Sequence, residues 1–125
     1  MDQPLNLDEA FERFDEHWEP RVVCRVNDYD VRIAKVAGDH AWHAHDDTDE
    51  FFLCLAGRLT IELRDRTVVL DPGDVFTVPR GAEHFPRAAE GTRILMLEPR
   101  GTATTGDRHD DIAHLRTTHG LDLDQ

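Results

Sequence analysis

Between residues 6 and 18 the apolar side chains of Leu7, Ala10, Phe11, Phe14 and Trp18 recur three and four positions apart. That spacing predicts a helix with one apolar stripe. Asn6 or Asp8 can cap its start, and Pro20 follows its end. From Arg21 the period changes to two. Residues 22–26 are a short β-prone run, Asn27-Asp28 marks a turn, and Val31, Ile33 and Lys35 alternate after it. Residues 50–56 are apolar and aromatic as far as Gly57. Leu59, Ile61 and Leu63 then alternate with Thr60, Glu62 and Arg64, the pattern of a half-buried strand. Two further strands, 67–70 and 75–78, flank the turn Asp71-Pro72-Gly73-Asp74, and Pro79-Arg80-Gly81 ends the second. Residues 93–98 form the last strand. Many short strands divided by Gly/Pro turns predict an all-β protein, an antiparallel sandwich or barrel. The chain divides into an N-terminal helix packed on the barrel (1–19), the barrel (20–100) and a polar tail (101–125) that wraps the body or is partly disordered.

At 125 residues the chain is the size of one domain. Its net charge of −12 leaves no basic face for nucleic acid or for an anionic membrane surface. No apolar run is long enough to span a bilayer, and the start of the chain is acidic where a secretory signal is basic and then apolar. These features imply a soluble, cytoplasmic protein with Cys24 and Cys54 reduced.

Histidine changes the picture. There are eight, three of them within residues 40–45. On a strand, His43 and His45 point to the same side. Glu50 follows closely, and His84 stands just after the Pro79-Arg80-Gly81 turn. Three imidazoles and a carboxylate suit Fe, Mn, Ni, Co, Cu or Zn. Each residue alone has a bland reading: Glu50 is one of 26 acidic residues, and His84 resembles a satisfied loop histidine. His40 reads as a solvated loop residue, and His17, His109, His114 and His119 carry no assigned chemistry.

The joint spacing resembles the cupin superfamily. Its first motif is matched by Gly38, His43, His45, Glu50 and Gly57, and its second by Gly73, Pro79, Gly81 and His84. Fifteen residues separate Gly57 from Gly73, as in compact microbial cupins. Two positions depart from the pattern: four residues rather than five stand between Gly38 and His43, and Ala88 occupies the place of the final Asn. The resemblance covers roughly residues 34–100. It implies a jelly-roll barrel (double-stranded β-helix) in which His43, His45, Glu50 and His84 face the lumen around one divalent metal ion per chain. Strand alternation from Glu50 would add Phe52, Cys54 and Ala56 as an apolar wall, and would turn Trp42 and Ala44 away. Cys54 reads as a small apolar filler. Homodimerisation is the further expectation.

Such a centre points to a metal-dependent small-molecule enzyme of dioxygenase, isomerase or lyase type, with Glu50 as candidate base. The alternative is a non-catalytic barrel that binds a small molecule or metal, as sensor or structural module. Fold alone does not choose between them.

Overall fold

The computed structural model describes residues 1–125. One short helix, α1 (Leu7–Phe11), precedes ten strands: β1 (Arg21–Val26), β2 (Tyr29–Asp39), β3 (His43–Ala44), β4 (Glu50–Ala56), β5 (Leu59–Leu63), β6 (Thr67–Leu70), β7 (Val75–Val78), β8 (His84–Pro99), β9 (Arg108–His109) and β10 (Leu121–Asp122). No helix is long and apolar enough to cross a membrane.

The long strand β8 organises the molecule. β2 runs antiparallel along one edge of it, from Tyr29↔Pro99 to Asp39↔Arg87. The other edge is divided: β5 pairs with its first part, Leu63↔His84 to Leu59↔Ala88, and β4 with its second, Ala56↔Arg93 to Phe51↔Leu97. β6 adds to β5, β7 to β4, and β1 to β2. β8 and β2 thus run through two groups of strands, and the sheet folds over as a jelly roll without closing hydrogen bonds all the way round. Gly57 sits where the layers come close: a Cβ there would lie 2.7 Å from Thr92 Cα. Its φ of 78° adds a second reason for glycine.

The apolar core lies between the two groups of strands. Ala34, Val36, Phe52, Cys54, Leu59, Ile61, Leu70, Val78, Ile94 and Met96 form one buried cluster. The anticipated inward turn of Phe52 and Cys54 is therefore observed. β2 is buried on both faces. Asp30, Arg32, Ala34 and Val36 alternate on one side, while Ile33 packs with Ala10, Phe11, Phe14 and Leu123 on the other. The sequence pattern favoured Val31 and Ile33 as the buried face, but two covered faces leave no single alternation to read.

The N-terminal helix is shorter than its periodicity predicts: 7–11, not 6–18. Asn6 caps it by accepting from the Glu9 N–H at 3.1 Å. Its last turn holds no basic residue to complement the negative C-terminal end. Beyond it the chain makes tertiary hydrogen bonds instead. Trp18 N–H donates to the Lys35 carbonyl, and Trp18 Nε1 to the Ala37 carbonyl at 2.9 Å. Trp18 reaches these partners with φ at 62°, which a right-handed helix does not permit.

The polar tail is ordered against the barrel. β9 pairs with β3, and β10 lies parallel to β1. Gly106 passes so close to β3 that a Cβ would lie 2.5 Å from the Ala44 carbonyl oxygen.

Candidate metal centre

Four buried side chains converge at one end of the barrel. One donor atom each from His43, His45, Glu50 and His84 lies within 4.8 Å of the others. Strand pairing explains the convergence. His43 on β3 stands directly opposite His84 on β8, with ring centroids 4.2 Å apart. Glu50 opens β4, and the Gly81 N–H donates to the His45 carbonyl at 2.7 Å, tying the two sequence motifs together.

The backbone orients two of the imidazoles. His43 Nδ1 donates to the Ala41 carbonyl at 2.9 Å, and His84 Nδ1 to the Ala82 carbonyl at 3.0 Å. A carbonyl can only accept, so these Nδ1 atoms carry the protons and the Nε2 lone pairs point into the cluster. Outer hydrogen bonds of this kind set metal-ligating histidines. His84 Nε2 lies 3.2 Å from Glu50 Oε1. In the neutral ring, that contact sets lone pair against lone pair. His45 Nε2 is 3.4 Å from Glu50 Oε2 yet makes no hydrogen bond, although it is fully enclosed. A cation shared by these atoms removes both conflicts, so the donor set fits a divalent metal ion.

The electrostatics of His43 and Glu50 agree, while His45 leans toward the protonated form whose proton an ion would displace. Burial, reinforced by the neighbouring His84 and His40, pushes the His43 pKa well below the ordinary histidine value, leaving it neutral and ready to ligate. Burial opposes ionisation of Glu50, but its contacts with His45 and His84 outweigh that and hold its carboxyl well below the carboxylate range. Burial likewise disfavours the charged form of His45, and Glu50 outweighs it, raising His45 above its usual value.

His40 is not the solvated loop residue the sequence implied. It is buried, edge-on to Trp18 at 5.1 Å and 4.6 Å from the His43 ring. Its Nδ1 has no partner, and burial lowers its pKa to about 4. His114, one of the histidines without assigned chemistry, holds this loop by donating Nε2 to the His40 carbonyl at 2.7 Å. Trp42 faces away from the cluster as anticipated, beside Phe85 and under the Arg64 guanidinium at 3.8 Å. Cys54 is unpaired with Cys24, buried in the apolar wall, and its thiol is raised by burial. It is not among the convergent donors.

Sequence reasoning missed a second polar cluster beside the first. Arg32, fully buried, donates to Asp30 Oδ2 at 2.8 Å, to Glu98 Oε1 at 3.0 Å and to the Thr102 carbonyl at 2.9 Å. Continuing the register Phe52↔Met96, Phe51↔Leu97 sets Glu98 opposite Glu50. Burial, and then the facing Glu50, drive the Glu98 pKa well above the carboxylate range against the pull of Arg32. The signal for Glu98 was its alternation with Ile94 and Met96, obscured because Leu95 and Leu97 are equally apolar.

Comparison with known proteins agrees with this architecture. A family model described as "Cupin domain" matches residues 29–109. The uncharacterized protein YdbB of Bacillus subtilis (strain 168) is 37% identical over 83 residues, 66% of this chain and 74% of that protein. The crystal structure of a cupin-2 domain containing protein from Shewanella frigidimarina NCIMB 400 is similar at 42% identity with a TM-score of 0.75, covering 77% of this chain and 94% of that one. Protein NMB1881 from Neisseria meningitidis shares the fold at 23% identity with a TM-score of 0.70, over 78% and 99% of the two chains. The open jelly roll, the two spaced motifs and these matches together make the chain a member of the cupin family.

Proposed function

We propose that His43, His45, Glu50 and His84 hold one divalent metal ion and that the loaded barrel is an enzyme acting on a small molecule. The observation that carries this reading is the convergence of the four donors, with the His43 and His84 rings fixed through Nδ1 by the Ala41 and Ala82 carbonyls and His84 Nε2 set 3.2 Å from the Glu50 carboxylate. Four protein ligands leave about two positions of a six-coordinate ion open. When bound, the ion supplies Lewis-acid chemistry, and oxygen chemistry if it is iron. The donor set admits Fe, Mn, Ni, Co, Cu or Zn.

The protein's own residues do the rest. Phe52, Ile94 and Met96 wall the cavity beside Glu50 and keep it poor in water. Glu50 would serve as the base for a substrate proton when it swings off the ion. The reaction class is dioxygenase, isomerase or lyase. A binding module is the second reading, favoured by the small size of the cavity, about 30 Å³ of space for water-sized molecules.

Turnover assays on the metal-reconstituted chain test the choice: oxygen uptake with iron, and isomerase or lyase panels with manganese or zinc. Turnover that disappears in His84→Ala supports the enzyme. Metal binding with no turnover across the panels favours the binding module. A homodimer belongs to the same proposal. β6 and β7 are each paired on one side only and expose Val69 and Val75. Light scattering at a single-chain mass overturns it.

A further inference from the structure

The polar side chains lining the cavity beside Glu50 are those of Trp18, His40, His43, Glu50, Glu98 and Thr104. Five of them are engaged. Trp18 Nε1 donates to the Ala37 carbonyl. His43 is held through Nδ1 by Ala41, and with Glu50 it belongs to the convergent donors. Glu98 is held by Arg32 and lies within hydrogen-bond reach of Glu50. Thr104 Oγ1 accepts from the Thr118 N–H at 3.0 Å. His40 is the exception. It is 5% exposed, and its Nδ1 is enclosed with no hydrogen bond. Its backbone is pinned on both sides: the N–H donates to the Pro86 carbonyl at 2.9 Å, and the carbonyl accepts from His114 Nε2 at 2.7 Å. With the ring edge-on to Trp18, His40 does not turn out to solvent.

The backbone group near the His40 ring is the Ala41 carbonyl, which already accepts from His43 Nδ1 at 2.9 Å. A carbonyl can only accept, so the ring nitrogen that faces it carries the proton. It serves one nitrogen at most. The other is left as a bare acceptor in a residue that lines the cavity, and buried polar atoms are almost always satisfied. The His40 ring stands 4.6 Å from that of His43, one side chain away from the convergent donors. We propose that His40 is a ligand-contacting residue, its free ring nitrogen accepting a hydrogen bond from a hydroxyl of the small molecule bound at the centre. This deepens the metal-enzyme reading and rests on it: the ion would take a second donor atom of the same ligand, a few atoms away from that hydroxyl.

The test uses the full chain loaded with Co(II) under argon, whose visible absorption reports changes in its ligands, and two matched thiols. 2-Mercaptoethanol and 1-propanethiol both offer the ion a sulfur and have the same length; one ends in a hydroxyl and the other in a methyl group. A cavity with no acceptor to spare favours propanethiol, because a hydroxyl buried without a partner is costly. The wild-type chain should instead bind 2-mercaptoethanol at least as tightly as propanethiol. His40→Phe keeps a ring against Trp18 and removes the acceptor. It should shift the ratio of the two dissociation constants at least fivefold toward propanethiol, while Co(II) affinity stays within threefold. His40→Gln offers an amide oxygen in the ring nitrogen's place, and its ratio should lie closer to that of wild type than to that of His40→Phe. A merely structural role for His40 would weaken both thiols alike. A smaller shift in His40→Phe with an intact cobalt spectrum therefore overturns the contact and leaves the metal centre standing. So does a wild-type preference for propanethiol, which needs no variant to fold. Failure of the wild-type chain to take up Co(II) overturns the metal centre and the contact together.

Discussion

Two buried polar clusters stand side by side in this barrel, and they are built to opposite ends. In the Asp30–Arg32–Glu98 cluster Arg32 gives its donors to the carboxyl groups of Asp30 and Glu98 and to a backbone carbonyl. In the His43–His45–Glu50–His84 cluster, by contrast, lone pairs face one another and His45 Nε2 is left over. The first is nearly complete without a ligand and the second is not. Burial alone therefore does not mark a functional site, since both clusters are buried to the same degree. What marks it is a shortage of positive charge among well-oriented acceptors. Glu98 touches both, with one oxygen held by Arg32 and its carboxyl group facing Glu50.

The largest expected effect breaks the closed cluster. Arg32→Met strands Asp30 and Glu98 in the interior, and urea unfolding of the metal-free protein should show a loss of about 3–5 kcal/mol. The same experiment on His84→Ala should show a far smaller loss, because the open cluster contributes little to folding without its ion. Its cost appears in metal affinity instead. Titration should find binding weakened about a hundredfold or more, equivalent to about 3 kcal/mol. His43→Ala combined with His45→Ala should abolish occupancy.

Acid sharpens the contrast further. His40 and His43 have folded-state pKa values depressed by burial, to about 4 for His40. Their contribution is present above the unfolded value of 6.5 and is lost as the pH falls. Glu98 is raised above its unfolded value of 4.5, so it takes up its proton earlier in the folded state and offsets one of them. The raised His45 contributes stability that is already complete below 6.5 and is lost only as pH rises through its folded value. The metal-free protein should therefore lose stability as the pH falls from 6.5 to 4.5, with Glu98 offsetting part of the loss. Urea midpoints at those two pH values measure it, and a flat profile would place His40 and His43 in contact with water. The smallest effect belongs to the surface. Asp46→Ala removes the exposed Arg108–Asp46 pair and should cost at most about 1 kcal/mol, with metal affinity unchanged.

The convergence of His43, His45, Glu50 and His84 was legible because these residues carry the chemistry themselves and sit at spacings that strand geometry turns into one space. His43 and His84 became a cross-strand pair, and Glu50 opened a strand. The closed cluster was not legible. Asp30 and Arg32 alternate with Val31 and Ile33, and a strand covered on both faces gives no reason to choose the charged face as the inner one. The first half of β8 was missed because Pro86 and Gly91 interrupt it, both residues that normally weaken strands. The helix was overextended because Phe14 and Trp18 do pack inward, but against different clusters and in a non-helical segment held by hydrogen bonds to β2. His40 looked solvated because nothing local shows that Trp18, 22 positions earlier, folds over it.

The most direct test is the metal content of tag-free protein purified without chelator or nickel resin, measured by elemental mass spectrometry beside the His43→Ala, His45→Ala double variant. The expected result is close to one divalent ion per wild-type chain and none in the variant. Wild-type chain that stays empty after each candidate ion is added back, or a variant that keeps its ion, would contradict the assignment of these residues as a metal centre.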